Sequence, residues 1–364
     1  MKQVLVVDDD ESIRLLLINS LKKLGYDIEE ARSGAKAIKL AASKKYDLIL
    51  MDISMPNMDG FDTLNEIRTR GASRGTNVMM VTADSKFQTV EKAIKWGACD
   101  YVVKPFDKGL FLHKVGRWIN KGVEEQWKKL EPDQEQVLHL TMTTLDKAFN
   151  AVAAGRPLPY KDFRNTCEKM LEVMDKGDIQ SVLGAVKDHD SYTFVHSLRV
   201  GIYLSMFAQD FGSFTKEDIL TVTSGGVIHD VGKAKTPIGV LNKPGKFTEY
   251  EWVEMKEHVN HTVEILKRTP GIPEPIIEIG WNHHEKLDGS GYPRGLKGTE
   301  IGTLARMAAI VDIYVALTDK RVYKPAFPPE KALEMMDNPK FLDRGLLREF
   351  GDIIRGMGEK ADLE

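Results

Sequence analysis

Seven of the nine histidines fall between residues 189 and 284, and their neighbours decide what chemistry they can do. His229 and Asp230 stand together in GGVIHDVGK, near the end of an apolar helical pattern. Adjacent residues on a helix diverge by about 100°, so the two side chains can flank a pair of cations rather than share one direction. Asp230, with two oxygens, can bridge two ions. Lys233, three residues on and on the same face, can hold a phosphate or protonate a leaving oxygen. Asp230 and Lys233 are the candidate catalytic residues. His196 lies in YTFVHSLRV, His258 in EMKEHVNHT, and His283 and His284 open HHEKLDGSGYPRGLKG. Asp312 interrupts the apolar run MAAIVDIYVAL, where a buried carboxylate needs a partner such as a metal. Five imidazoles and two carboxylates exceed the needs of one tetrahedral ion and suit two metals about 3.5–4 Å apart. Nitrogen-rich ligation without thiolate favours Fe or Mn over Mg2+ and Ca2+. Such a centre activates water and clamps the oxygens of a phosphodiester. A lone histidine is more often structural, and His113, His139, His189 and His261 are read that way.

A second constellation precedes it. Asp8 and Asp9 follow the apolar run VLVV, Asp52 ends DLILM, Thr82 ends VMMV and Lys104 follows DYVV. Three carboxylates at one site repel one another unless a hard cation sits between them, and Mg2+ is the natural guest. With a lysine and a hydroxyl nearby, a metal-held carboxylate can accept a phosphoryl group. Asp52 is central and is the expected nucleophile. Any one aspartate alone would be read as a helix or turn cap; four strand ends together overturn that reading.

The elements that must position these residues can be read from periodicity. Up to about residue 120, short continuous apolar runs alternate with helical patterns, five times over. That alternation specifies a doubly wound five-stranded parallel sheet, covered on both faces, with its ligand site at the carboxyl ends of the strands. Beyond it the pattern is helical and charged, with a break at GRPLP, and no strand pattern of useful length follows. The expected organisation is an α/β domain over residues 1–120, a helical linker over 121–180 and an all-α domain over 181–364. The charged linker helices, exemplified by VEEQWKKLE, carry little apolar surface and are expected to pack between protomers of a homodimer.

Bulk composition narrows the function classes. At 364 residues, 42% hydrophobic and 29% charged with a formal net charge of -3, the chain gives no reason to expect a nucleic-acid partner. MKQVLVVDDD fits neither a signal peptide nor a membrane span, so a cytoplasmic protein without membrane partners is expected. Cys99 and Cys167 have no ligand-like spacing and are read as plain small residues.

Over residues 1–120, VVDDD, MDISMPNMDG, VTAD and DYVVKPF resemble the receiver domains of two-component response regulators. The resemblance implies Asp52 as phosphoacceptor, Mg2+ supported by Asp8, Asp9 and the Ser54 carbonyl, phosphoryl contacts from Thr82 and Lys104, and Tyr101 as an aromatic switch. It also implies a cognate sensor histidine kinase. From about Tyr192 to Lys324 the chain resembles the HD superfamily of metal phosphohydrolases. The added His258, the His283-His284 pair, DGSGYPRGLKG, NKPGKFTEYEW and ALTDKRVY are similar to its HD-GYP branch, which cleaves cyclic di-GMP. By that resemblance His196, His229, Asp230, His258, His283, His284 and Asp312 hold two metals. The loop glycines admit a flat purine dinucleotide, Tyr292 offers a ring and a hydroxyl, and Arg321 and Lys324 hold guanine or phosphate groups. Some members carry a glutamate four residues before the first histidine that reaches a third metal. Tyr192 stands there, and a phenol with pKa about 10 is a poor ligand. A binuclear centre is therefore expected, with linear pGpG accumulating ahead of GMP; Asp188 and Asp190 are the nearest substitute carboxylates. Two rival readings are a silent cyclic di-GMP receptor and an enzyme that prefers another dinucleotide such as cyclic GMP-AMP.

Overall fold

The computed structural model describes residues 2–361 except 23, 70, 84–86, 107, 178, 190, 242, 244 and 320–325. It divides into two compact units, the first ending at Glu125. In the first, β1 (Gln3–Val7), β2 (Asp27–Ala31), β3 (Leu48–Asp52), β4 (Asn77–Thr82) and β5 (Asp100–Val103) alternate with α1 (Glu11–Lys22), α2 (Gly34–Ser43), α3 (Gly60–Thr69), α4 (Phe87–Lys95) and α5 (Lys108–Trp127). All pairings are parallel, in the order β2-β1-β3-β4-β5. The expected doubly wound sheet is the observed one. Its strands are continuously apolar because both faces are covered: Leu5, Ile49 and Met80 belong to one core layer, and Val6, Leu50 and Val81 to the other. Val7 pairs with Met51, so Asp8 and Asp52 emerge side by side at the same edge.

The second unit is helical: α6 (Pro132–Ala153), α7 (Tyr160–Asp175), α8 (Ile179–Ala185), α9 (Tyr192–Asp210), α10 (Lys216–Ile228), a 3₁₀ turn (Val231–Lys235), α11 (Ile238–Leu241), α12 (Glu249–Lys267), α13 (Glu274–Asn282), α14 (Thr303–Thr318), α15 (Pro329–Met336) and α16 (Arg344–Ala361). Among the described residues its β structure is the single bridge Asp288–Lys297. α9 carries apolar side chains around its whole circumference, as a central helix must. Val195, Leu198 and Ile202 join one core cluster, and Val200, Leu204 and Phe207 the other.

Much of the expected linker packs within its own chain. α5 runs through residue 120 to Trp127, and the helices expected to pair between protomers find partners in their own chain. Val137, Leu138, Leu145 and Val152 of α6, with Phe163, Cys167 and Met170 of α7, lie in the same core as Leu198, Ile202 and Val227. Charges on the outer face hid an apolar stripe wide enough to dock. No helix among the described residues is long and apolar enough to cross a membrane.

Candidate metal centre and phosphoryl site

Five helices deliver the ligand set. His196 lies in the second turn of α9, His258 at the middle of α12, Asp312 in α14, and His229 and His283 are the C-cap residues of α10 and α13. α9 and α10 approach closely at Gly201 and Gly226, where a Cβ on Gly226 would stand 3.0 Å from the Gly201 Cα. That contact draws His196 and His229 together. Just after the HD pair, Gly232 meets α12 so tightly that a Cβ would lie 2.0 Å from the His258 carbonyl oxygen.

The two oxygens of Asp230 face different partners. Oδ1 lies 3.1 Å from His258 Nε2 and 3.8 Å from His283 Nε2. Oδ2 lies 3.3 Å from His229 Nε2 and 3.7 Å from His196 Nε2. Asp312 completes both sides, with Oδ1 3.0 Å from His196 Nε2 and Oδ2 3.7 Å from His284 Nδ1. The candidate ligand atoms of Asp230, His258, His283 and His284 all lie within 4.8 Å of one another, as do those of His196, His229 and Asp230. The structure thus brings together all seven residues expected from the sequence.

These atoms fit a pair of cations. Nε2 of His196, His229, His258 and His283 and Oδ1 of Asp230 are buried without a hydrogen-bond partner, a costly arrangement unless something else binds there. Three of the rings are turned for ligation, because Nδ1 of His229, His258 and His283 faces the carbonyl of Gly226 at 2.7 Å, Met255 at 2.5 Å and Ile279 at 3.1 Å. A carbonyl only accepts, so Nδ1 holds the proton and Nε2 offers its lone pair. Burial would raise the Asp230 and Asp312 carboxyls; Lys233 and His229 at the first, and His196 and His229 at the second, hold both well below the usual carboxylate range. Burial would also lower His229, but Asp230 and Asp312 push it up to about 10, so its Nε2 carries a second proton that a bound cation would displace. Burial, with neighbouring imidazoles, lowers His283 well below its ordinary value, and burial takes His284 down to about 3.

Lys233 ion-pairs with Asp230 Oδ2, because residues three apart eclipse in a 3₁₀ turn. Beside the ligands, the glycine-rich loop folds back: the Tyr292 N–H donates to the His284 carbonyl at 3.2 Å, and a Cβ on Gly291 would stand 2.4 Å from the Lys286 nitrogen. The Tyr292 ring lies 4.7 Å from His284, and burial beside Asp230 and Asp312 raises its phenol, which stays neutral. Arg321 and Lys324 lie outside the described residues.

Sequence reasoning missed three residues here. Buried Glu285 accepts the backbone N–H groups of Arg294 at 2.7 Å and Leu296 at 3.0 Å. Asp319, the C-cap of α14, faces His196 Nδ1 at 3.5 Å. Trp252, half-exposed, sets its ring edge-on to Tyr292 at 6.2 Å.

In the α/β unit, Lys104 Nζ donates to Asp8 Oδ2 at 2.7 Å and Asp52 Oδ1 at 2.8 Å. Carboxylate oxygens of Asp8, Asp9 and Asp52 lie within 4.8 Å of one another. Burial raises the Asp8 carboxyl, with Asp52 adding to the effect; burial would lower Lys104, but Asp52 and Asp8 raise it. This crowding of acids around one ammonium suits a hard divalent cation such as Mg2+. Thr82 is buried at the end of β4, Ser54 is exposed two residues after Asp52, and Tyr101 is half-buried in β5 with Lys114 Nζ 4.9 Å from its ring.

Residues 4–116 match the response regulator receiver domain, and residues 185–342 the HD domain. A cyclic di-GMP phosphodiesterase of Thermotoga maritima is 30% identical over 340 residues, covering 92% of this chain and 85% of the relative. A cyclic di-GMP phosphodiesterase response regulator of Xanthomonas campestris is 26% identical over 371 residues, covering 99% and 88%. A 3'3'-cGAMP-specific phosphodiesterase of Vibrio cholerae is 31% identical over 228 residues, covering 62% of this chain and 47% of the relative.

Proposed function

The chain belongs to the cyclic di-GMP phosphodiesterases that join a receiver domain to an HD domain, and from that premise we propose that it hydrolyses cyclic di-GMP to linear pGpG under the control of Asp52 phosphorylation. The observation that carries the reading is Asp230, with each oxygen turned to its own pair of imidazoles whose Nε2 atoms are buried without a hydrogen bond. His196, His229, Asp230, His258, His283, His284 and Asp312 would hold two divalent metals, with Fe or Mn suited to the nitrogen-rich set. Bound there, the metals would supply Lewis acidity to the phosphodiester oxygens and a water made acidic enough to attack at neutral pH.

The chain's own groups do the rest. Lys233, already paired with Asp230, can turn its ammonium to a phosphate oxygen. Tyr292 offers a neutral hydroxyl and a ring face beside His284. In the receiver, Lys104 and a Mg2+ held by Asp8 and Asp9 would neutralise charge on a phosphoryl group taken by Asp52 from a sensor kinase.

The test is hydrolysis by protein reconstituted with Mn(II) or Fe(II), with products separated by chromatography. The expected result is pGpG accumulating ahead of GMP. Binding of cyclic di-GMP without turnover would reject the enzyme in favour of a receptor. The Vibrio cholerae relatives that act on 3'3'-cGAMP favour one second reading, so the two dinucleotides are to be offered in competition. Acetyl phosphate should change the hydrolysis rate of the wild type and leave that of Asp52→Asn unchanged.

A further inference from the structure

A histidine that binds a metal through Nε2 must keep its proton on Nδ1, and something must hold it there. Backbone carbonyls do this for His229, His258 and His283. His196 is placed differently. Its Nδ1 lies 3.3 Å from the Tyr192 hydroxyl and 3.5 Å from Asp319 Oδ2. The Tyr192 hydroxyl either donates or accepts and therefore selects no tautomer. Asp319 is almost wholly buried, its side chain 2% exposed. Arg199, three residues after His196 on α9, grips its Oδ1 and donates to Thr318 Oγ1 at 3.0 Å. The other oxygen, Oδ2, is buried, has no hydrogen-bond partner and faces the imidazole.

We propose that Asp319, anchored by Arg199, is the positioning residue that keeps the proton of His196 on Nδ1 and so turns its Nε2 toward the metal position shared with His229 and Asp312. The inference rests on the metal-centre reading above. A carboxylate held by a guanidinium accepts and does not donate, so it imposes on His196 the tautomer that carbonyls impose on the other rings.

The discriminating substitution is Asp319→Asn. Arg199 only donates, so the amide must keep its oxygen toward Arg199 and present its NH2 to His196. His196 Nδ1 then has to accept, its proton moves to Nε2, and the ligand is lost with almost no change of shape. Mn(II) titration of the full chain should give two ions in the wild type. In Asp319→Asn one ion should bind about 10- to 100-fold more weakly, with the affinity of the other unchanged. Tyr192→Phe should keep both. Long-range 15N–1H spectra of the wild type loaded with diamagnetic Zn(II), which displaces any proton between Nε2 and Asp312 Oδ1, should show the His196 proton on Nδ1. A proton on Nε2 in that spectrum overturns the proposal even if the variant fails to fold. So do unchanged affinities in Asp319→Asn, or a loss that appears in Tyr192→Phe instead. Fewer than two ions in the wild type overturns this proposal together with the metal-centre reading, whereas two ions bound with the same affinities in both proteins overturns this proposal alone.

Discussion

Glu285 is the residue whose replacement best separates the loop from the metals. Its buried carboxylate accepts two backbone N–H groups from the far side of the glycine-rich loop, those of Arg294 and Leu296. Each bond to a charged acceptor contributes about 1.5–3 kcal/mol, so Glu285→Ala should release about 3–6 kcal/mol of anchoring. Glu285→Gln is gentler and more telling. One amide oxygen still serves one N–H, while the NH2 opposes the other, for a loss of about 2–4 kcal/mol. Because the loop can lift before the domain unfolds, that loss appears as a larger open population, by roughly 30- to 700-fold. Trypsin reads this population directly, since it cuts after Arg294 and cleavage tracks the open state when reclosing is fast. Faster cutting should come with a raised KM for the dinucleotide, because Tyr292 rides on the same loop, and with unchanged metal content. Cleavage of Glu285→Gln at the wild-type rate would show that the carboxylate does not hold the loop.

Asp230→Ala should lose hydrolysis and both bound metals, because each oxygen serves a different pair of imidazoles; full activity or retention of two ions would end the bridging assignment. Asp52→Asn should take no phosphoryl group from acetyl phosphate on phosphate-affinity gels, and labelling of that variant would move the acceptor elsewhere. Asp100 supplies a pH test: burial would raise its carboxyl, but bonds from Lys114, Trp118 and the Tyr101 N–H outweigh this and lower it. A lowered folded-state pKa gives stability that is present above the unfolded value of 3.8 and lost as pH falls through the folded one. Asp100→Asn should therefore lower the receiver's melting temperature at pH 7, and the difference from wild type should close on acidification below 3.8; a gap independent of pH would refute the linkage.

Much of the receiver site was legible because a parallel sheet turns strand ends into positions: once VLVV and DLILM are strands, Asp8 and Asp52 share an edge. The HD centre was legible through residue type, since buried imidazoles and an aspartate inside MAAIVDIYVAL leave few alternatives to a metal. Glu285 and Asp319 were not. Both are acids in stretches read for other residues, and an acid that closes a loop or faces an imidazole looks in sequence like one facing water. Arg199 carried a faint signal, being one helical turn from His196 and thus on its face, but its partner lies 120 residues away. The packing of α6 and α7 was hidden for a different reason. Their outer charges dominate the composition, whereas burial is decided by Val137, Leu138, Leu145 and Val152 on one stripe.

The positions of the histidines explain how the ligands converge without help from a metal. The last carbonyls of a helix lack partners within it and must find donors elsewhere. His229 stands at the end of α10 and gives its Nδ1–H to such a carbonyl, that of Gly226, while His283 at the end of α13 sets its Nδ1–H on the Ile279 carbonyl, which its own backbone N–H also reaches at 3.1 Å. At α10 one hydrogen bond thus satisfies the helix end and selects the ligating tautomer, and at both helices the orientation of the ring comes with formation of the helix. Asp230 then opens a 3₁₀ turn pressed against α12 through Gly232, whose N–H donates to Thr262 Oγ1 at 2.9 Å, and His258 lies one helical turn before Thr262. A residue larger than glycine at 232 would push the His258 carbonyl away and open the gap that Asp230 Oδ1 spans at 3.1 Å. The bridge between the two metal positions therefore depends on packing of the 3₁₀ turn against α12 as much as on the identity of Asp230.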